Sequence, residues 1–410
     1  MTQDIPLNPE ELGREERRRL DRQLRLPGWN QQLLKQSTVL ILGVGGLGVE
    51  VAKNLAMVGV GRLILVDMDT IEFSNLNRQV LFIGAEEGEP KAVVAARRLR
   101  ELNPFVQVDA YHSALQDLDP AIYEEADLYV AGLDNVTARK ELNRRAIHFN
   151  KPMIDAGTSN YNGHVYCVFP FQNACLECDP MQERAAEELG ACTLVGEPRK
   201  KIHCVLKGLL KFESEHGQAA DIHEPKELAE VLDYANQLMG QYFPHENPYT
   251  EDQVIQTVDR HEPTVITINA VMASLQSQEA VKILHNRKEP FGTINLHYII
   301  YNGLTGKFFE LEKPVNPKCE LCGPGRVPIH KIKVPKNLPL QEVLGKIFDA
   351  KGYTADPDFP PNVFRLDSSD ELVELDLNQT VGSLGLRNFE TLLVSGLDDD
   401  RSFYLQFKIA

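Results

Sequence analysis

Val39-Leu40-Ile41-Leu42-Gly43-Val44-Gly45-Gly46-Leu47-Gly48 is the stretch from which the fold is read. Four apolar residues in a row are the pattern of a buried strand, and the glycines after them let the backbone turn tightly. From Val49 to Val58 apolar residues recur at helical spacing, and Leu63-Ile64-Leu65-Val66 is a second apolar run. A helical pattern from about Pro90 to Leu102, a strand near Val106 and another at Leu128-Tyr129-Val130 continue the alternation. Strands apolar throughout and separated by helices predict a parallel sheet with both faces covered. Residues 38–166 therefore read as a doubly wound, Rossmann-like α/β domain.

Downstream the pattern changes. From about Gln182 to Glu262 the chain is polar, with one helical stripe of Leu228, Val231, Leu232, Ala235 and Leu238 after Pro225. It reads as an insertion with a small core of its own. Residues 263–312 return to the first style, with a helix from Thr267 to Leu284 and strands at 293–301 and 307–311. A link rich in Pro, Gly and Cys runs from Lys313 to Pro328. Beyond it His330–Val334 alternates, Leu338–Tyr353 is helical, Val363–Leu366 and Leu372–Leu375 alternate, and strands follow at Thr391–Val394 and Phe403–Ile409. A mixed unit of about 80 residues in this order suggests a β-grasp, or ubiquitin-like, fold. The expected division is 1–178 and 263–325 for the α/β domain, 179–262 for the inserted, mainly helical region, and 326–410 for the β-grasp domain.

A length of 410 residues is more than one hydrophobic core usually serves. Lys and Arg number 43 against 59 Asp and Glu, and a net charge of −16 argues against a nucleic-acid surface. The stretch Met1–Glu16 lacks the apolar core of a signal peptide, and no apolar run is long enough for a bilayer. The expectation is a cytoplasmic protein with no membrane partner. Seven cysteines, an odd number, argue against a disulfide framework and leave metal sites or a reactive thiol.

The glycines follow a predicted strand and open a predicted helix, the context a phosphate-binding turn requires. Asp67 ends the next strand, 19 residues after Gly48, where a carboxylate can accept ribose hydroxyls. A dinucleotide site satisfies these residues equally well. Ser74-Asn75-Leu76-Asn77-Arg78-Gln79 comes directly after the Asp67-Met68-Asp69 turn, and Lys91 opens the next helix. A triphosphate carries more charge than a pyrophosphate diester, and cleaving it requires cations on the leaving group. Arg78 and Lys91 suit that task, and Asp134, at the tip of a later strand, suits Mg²⁺. Taken singly, each is a solvated surface charge.

Together, Gly43–Gly48, Asp67, Asn75, Arg78, Gln79, Lys91 and Leu133-Asp134-Asn135 resemble the adenylation domain shared by ubiquitin-activating enzymes and the bacterial adenylyltransferases of thiamine and molybdopterin synthesis. The resemblance covers about residues 15–178 and 263–322. It implies ATP and Mg²⁺, with Asp67 on the ribose, Arg78 and Lys91 on the phosphates and Asp134 on the magnesium. Gly43, Gly45, Gly46, Gly48, Asp69, Asn75 and Gln79 complete the nucleotide-binding set. Asp21-Arg22-Gln23-Leu24-Arg25-Leu26 is similar to the N-terminal motif whose arginine reaches a partner subunit's ATP site, which makes Arg22 that residue.

Cys175-Leu176-Glu177-Cys178 and Cys319-Glu320-Leu321-Cys322 are two Cys-x-x-Cys pairs, and together they suit one structural Zn²⁺. A redox dithiol is the alternative for either pair alone. Cys167 sits in an alternating run and reads as a buried strand residue. Cys192 and Cys204 fall in a polar stretch, 190–204, read as a surface loop. There Arg199, Lys200 and Lys201 would lower a nearby thiol's pKa. This stretch resembles the catalytic-cysteine segment of the SUMO-activating type of ubiquitin-activating enzyme, with Cys-Thr, then Pro, then His-Cys. The resemblance implies that Cys192 is the thioester nucleophile and leaves Cys204 a structural role. It further implies a ubiquitin-like modifier with a Gly-Gly C-terminus as substrate and a conjugating enzyme bound through residues 326–410.

Two other enzymatic readings remain: an adenylyltransferase for a sulfur-carrier protein that forms no thioester, and an NAD-linked oxidoreductase. A non-catalytic scaffold is a third. The nucleotide-site residues speak against the scaffold, and the Cys192 segment and the C-terminal unit speak against the sulfur-carrier reading. Because one chain carries both the nucleotide residues and the donated arginine, a homodimer with two working sites is expected. Mixing Arg22→Ala chains with Asp134→Ala chains is then expected to restore part of the ATP–pyrophosphate exchange that each variant loses alone. No recovery counts against donation across the dimer.

Overall fold

Every residue of β1 (Thr38–Leu42) after Thr38 is buried, as its unbroken apolar sequence requires. The computed structural model describes residues 12–178, 198, 201–218, 220–258, 264–287, 290–355, 361–366, 372–397 and 401–409. Residues up to 179 pack with those from 265 onward, and 180–264 form a second unit.

In the first unit α1 (Arg14–Leu20) and α2 (Gln31–Lys35) precede β1. Then come α3 (Gly46–Met57), β2 (Arg62–Asp67), α4 (Lys91–Leu102), β3 (Gln107–His112), α5 (Pro120–Glu125), β4 (Leu128–Ala131) and α6 (Val136–Phe149). The hairpin β5 (Met153–Ser159) and β6 (Asn162–Val168) ends this part. The second unit holds α7 (Lys201–His216), α8 (Pro225–Tyr242) and α9 (Glu251–Val258). Back in the first unit, α10 (Ile266–His285), β7 (Tyr298–Asn302) and β8 (Lys307–Leu311) complete one sheet. The remaining elements are β9 (Ile329–Val334), α11 (Leu340–Lys351), β10 (Asn362–Leu366), β11 (Leu372–Glu374), β12 (Thr391–Ser395) and β13 (Phe403–Ile409).

The larger sheet has the order β3-β2-β1-β4-β5-β6-β7-β8. Pairings from β3 to β5 are parallel. Alternate side chains of β1 serve opposite faces, as a period of two demands. Val39 and Ile41 pack with residues of α3, α4 and α10, while Leu40 and Leu42 pack with residues of α5 and α6. This is the expected doubly wound half, yet the sheet is mixed. From β5 to β8 the pairings are antiparallel, and only Asn160 and Tyr161 separate β5 from β6. A connection that short allows a hairpin and no crossover, and Asn160 takes the left-handed conformation (φ 54°) that such a turn needs. The strand expected at 293–301 begins only at Tyr298. Before it, Lys282 donates to the Thr293 carbonyl (2.7 Å) and the Asn295 N–H donates to Glu279 (3.2 Å), so α10 side chains take the place of a ladder.

The smaller sheet, β11-β10-β12-β13-β9, pairs β9 and β13 in parallel and the rest antiparallel. Leu340, Val343, Leu344 and Ile347 of α11 share a core with Val363, Leu392, Val394, Phe403, Leu405 and Phe407. Gly352 ends α11 in the left-handed conformation (φ 70°) that suits glycine. This is the expected β-grasp arrangement. Among the described residues no helix is long and apolar enough to cross a membrane.

In the 180–264 unit, Cys204 is fully buried within α7, where a surface loop was expected. Cys204, Val205, Gly208 and Phe212 recur at helical spacing and face the α8 residues Leu228, Val231 and Ala235. A Cβ on Gly208 would lie 2.8 Å from the Val231 carbonyl oxygen, so glycine sets how closely α7 approaches α8. Burial pushes the Cys204 thiol up despite Lys201 and Lys207, so it is no thiolate. Cys192, Arg199 and Lys200 lie outside the described residues.

Where α6 meets the open face of the smaller sheet, the His148 ring lies 4.6 Å from that of Tyr404. Its Nε2 is sealed from solvent without a hydrogen-bond partner among the described residues. Burial, then Arg145 and Arg144, pushes its pKa down to about 3. A histidine whose folded pKa is depressed gives stability that is present above its unfolded value and lost as pH falls toward the folded one. The sensitive window is therefore about pH 6.5 down to 3, and at pH 5 the loss is about 2 kcal/mol. Urea unfolding at pH 7 and pH 5 is expected to show this extra loss in the wild type and not in His148→Gln. Equal losses would show that His148 is not a source of the acid sensitivity.

Candidate active site

The sheet presents three strand ends side by side, those of β1, β2 and β4, and in open α/β sheets ligands bind outside such carboxyl ends. The Gly43 N–H donates to the Val66 carbonyl (2.8 Å) and the Gly132 N–H to the Leu42 carbonyl (2.7 Å), which joins the three. Gly43 has φ +82°, and a Cβ there would lie 2.5 Å from the Gly132 carbonyl oxygen. A Cβ on Gly48 would run into the Gly43 carbonyl oxygen, and one on Gly132 would lie 2.5 Å from that same atom. The glycines are thus required for space, and the start of α3 is drawn against the strand ends. Around Gly45 nothing lies within 4 Å of the Cβ position, leaving an open cradle beside the first N–H groups of α3.

Asp67 is buried and tied into this turn. Its Oδ2 accepts the Val44 N–H (2.6 Å) and its Oδ1 the Asp69 N–H (2.8 Å). Burial lifts its pKa above the ordinary carboxylate value, against the pull of these N–H groups and of Lys91. Lys91, also buried, pairs through Nζ with Asp69 Oδ2 at 2.9 Å, and its N–H donates to the Asp69 carbonyl. Asn75 is buried in a 3-10 turn, where its Oδ1 accepts the Glu72 N–H (3.3 Å). Gln79 is buried, and its Oε1 has no hydrogen-bond partner among the described residues. The half-buried Arg78 donates to Ser74 O (2.9 Å) and Asn77 Oδ1 (3.0 Å), while its Cδ lies 3.7 Å from the Cβ position of Gly46. Asp134 is exposed, two residues beyond Gly132, beside the Asn135 that caps α6.

Gly43 to Gly48, Asp67, Asp69 and Lys91 are therefore brought together by direct contacts, and Arg78 borders Gly46. Arg22 is not among them. Its neighbour Gln23 donates to Val58 O (2.8 Å), at the far end of α3 from the glycine turn. A 12-residue helix separates the two, roughly 18 Å. Two further site residues carry no motif. Gly132 is the third member of the glycine contact, and only the strand before it marked the place. Asn269, on the first turn of α10, puts its side-chain amide where a Cβ of Gly46 would go and accepts a hydrogen bond from Thr158 (2.9 Å). Nothing in its spacing relates it to residue 46.

The four predicted metal ligands converge as well. All the Sγ atoms of Cys175, Cys178, Cys319 and Cys322 lie within 4.8 Å of one another, and all four residues are buried. Separations of 3.7 Å (Cys175–Cys319), 3.3 Å (Cys178–Cys322) and 3.7 Å (Cys319–Cys322) approach the edges, about 3.8 Å, of a tetrahedron with Zn–S bonds of about 2.3 Å. Cys167 is buried in β6, as expected, and burial pushes its thiol up.

The glycine contacts yield a stability test. Gly48→Ala sets a methyl against a backbone oxygen that cannot rotate away, at a cost of about 2 kcal/mol or more, whereas Gly45→Ala enters open space and costs less than about 1 kcal/mol. Urea denaturation of both variants checks the order, and equal costs would contradict the close approach.

Residues 20–321 match the ThiF family model. The NEDD8-activating enzyme E1 catalytic subunit of Arabidopsis thaliana is 31% identical over 318 residues, covering 73% of this chain and 68% of its own. The Nedd8-activating enzyme E1 catalytic subunit of Drosophila melanogaster is 28% identical over 401 residues, covering 90% of this chain and 87% of its own. Among solved structures, E. coli MccB with ATP covers 72% of this chain and 68% of its own at 24% identity and a TM-score of 0.47, a distance at which no residue is carried across. The chain belongs to the ThiF family, within the ubiquitin-activating enzyme group of catalytic subunits.

Proposed function

We propose that this chain adenylates the C-terminal glycine carboxylate of a ubiquitin-like modifier, takes the modifier as a thioester on Cys192, and passes it to a conjugating enzyme recruited through residues 326–410. The observation that carries the reading is the interlocked turn of Gly43, Gly48 and Gly132, with Asp67, Asp69 and Lys91 gathered beside it. By name the relatives act on NEDD8, so a NEDD8-like protein ending in Gly-Gly is the first substrate to try.

The residues present fit ATP and Mg²⁺. The open cradle at Gly45 and the free N–H groups of α3 suit phosphate oxygens, and the buried, unmatched Gln79 Oε1 awaits a donor. Asp67 would orient the ribose. Lys91 and Arg78 would hold the leaving pyrophosphate, with Asp134 holding Mg²⁺, which offsets phosphate charge when bound. A carboxylate is a poor electrophile. Attack of its oxygen on the α-phosphorus expels pyrophosphate and leaves an acyl group joined to AMP. The Cys192 thiolate then attacks the carbonyl carbon and AMP departs, so activation is kept in the thioester.

Arg22, next to the Gln23 that bonds the far end of α3, lies too far from the glycine turn to serve its own site, which supports donation from a second copy in a homodimer. The four-cysteine cluster would hold a structural Zn²⁺, tying Cys175 and Cys178 to Cys319 and Cys322 and so the two parts of the α/β domain. Four adjacent thiols suit a reducing compartment such as the cytoplasm.

With purified modifier and ATP, Cys192→Ala is expected to retain ATP–pyrophosphate exchange near the wild-type rate and to lose any thiol-sensitive adduct. An adduct that persists means the wrong cysteine or the wrong reaction. No adduct in the wild type, with exchange intact, points instead to sulfur-carrier adenylation.

A further inference from the structure

Behind the loop that carries Asp134 lies a charged cluster to which the functional reading gives no part. Asp155, in β5, is fully buried. Three cationic or ionisable groups face it: Arg139 from α6 (Nε to Oδ1, 3.7 Å), His164 from β6 (Nε2 to Oδ2, 3.3 Å), and Lys313, which acts on it electrostatically. Burial alone would raise the Asp155 pKa, but Arg139 foremost, then His164 and Lys313, hold it down at about 2, so the carboxylate stays ionised. The Arg139 guanidinium is only a little exposed; its Nη1 lies 3.3 Å from His164 Nε2, and its other donors reach backbone. Nε donates to Leu133 O (3.1 Å) and Nη2 to Ala156 O (2.8 Å).

A glycine makes room for it. A Cβ on Gly157 would collide with Arg139 Nη2 and lie 2.5 Å from His164 Cε1. Gly157 does not have a positive φ, so the glycine serves the guanidinium slot and no special backbone conformation.

We propose that Arg139 is the positioning residue that sets the Asp134 carboxylate for the magnesium–nucleotide complex. Fixing the Leu133 carbonyl fixes the peptide plane between Leu133 and Asp134, and with it the point from which the Asp134 side chain leaves the chain. Asn135 holds the other side by accepting the Ala138 N–H (2.7 Å). Through Ala156 the same guanidinium grips the middle of β5, two residues before the Thr158 that donates to Asn269, which in turn sits against Gly46. One fork thus relates the metal-side loop to the phosphate-side turn. Lysine cannot replace it, because a single ammonium lacks two divergent donors in one rigid plane. This role rests on the proposed use of Mg²⁺ and ATP.

Calorimetric titration of ATP into the full chain, with and without Mg²⁺, separates the two. The wild type is expected to bind ATP more tightly with Mg²⁺, and Asp134→Asn to lose that difference. Arg139→Lys is expected to raise the Mg²⁺ needed for half the effect about tenfold while Mg²⁺-free ATP affinity stays within about twofold. Arg139→Met with Asp155→Asn removes the buried pair together, leaving His164 and Lys313, so its thermal midpoint is expected to fall less than that of Arg139→Met alone while the Mg²⁺ defect persists. Wild-type Mg²⁺ dependence in that double variant, or an equal loss of Mg²⁺-free and Mg²⁺-bound affinity in Arg139→Lys, overturns the positioning role. A wild type whose ATP binding ignores Mg²⁺ overturns the functional reading itself, and this role with it.

Discussion

Three backbone segments meet at the head of the larger sheet with no side chain between them. Gly43 leaves β1, Gly48 enters α3 and Gly132 leaves β4, and each occupies the space a neighbour's Cβ would fill. That approach gives α3 its direction, since its first turn is pressed against the strand ends and its free N–H groups open on the cradle around Gly45. Asp67 and Lys91 are organised in consequence. Asp67 reaches the Val44 N–H only because the turn brings that N–H to the end of β2, and Lys91 reaches Asp69 because the Asp67–Asp69 segment is pinned there.

The surrounding electrostatics follow the same economy. Two buried charges are paired, Asp155 with Arg139 and Lys91 with Asp69, while Arg78 is half-buried and Asp134 exposed where a ligand would meet them. An unpaired buried charge costs several kcal/mol, whereas exposed groups cost little until they are used. Arg139 holds two backbone carbonyls besides Asp155 and His164, so its removal would disturb geometry as well as charge balance.

The parallel half of the sheet was legible because buried strands between covering helices must be apolar at every position. Val39 to Leu42 and Leu63 to Val66 could hardly be read otherwise. The antiparallel half was not legible. The direction of β6 is set by the two residues before it, which look like any polar turn, β7 arrives from far along the chain, and its late start depends on Lys282 and Glu279 from a helix ahead of it. Cys204 was misplaced because Arg199-Lys200-Lys201 suggests a surface, while the stripe Cys204, Val205, Gly208 and Phe212 outweighs it once α8 supplies an apolar partner. The glycine turn and the Cys-x-x-Cys pairs could be found because their chemistry depends on local spacing. Gly132, Asn269 and Arg139 could not, since each acts on a residue distant in sequence.

Asp67 shows how one side chain serves both the fold and the site. Each of its oxygens already accepts a backbone N–H, one from the glycine turn and one from the segment leading to Lys91. A carboxylate offers about four lone-pair positions, so two remain for hydroxyl donors without breaking either bond. An amide of the same shape has one accepting oxygen and one NH₂ group, so one of the two N–H groups would face a donor. The negative charge at this position is therefore part of the turn's construction, and a group that binds a nucleotide here does so on a carboxylate the fold has already fixed.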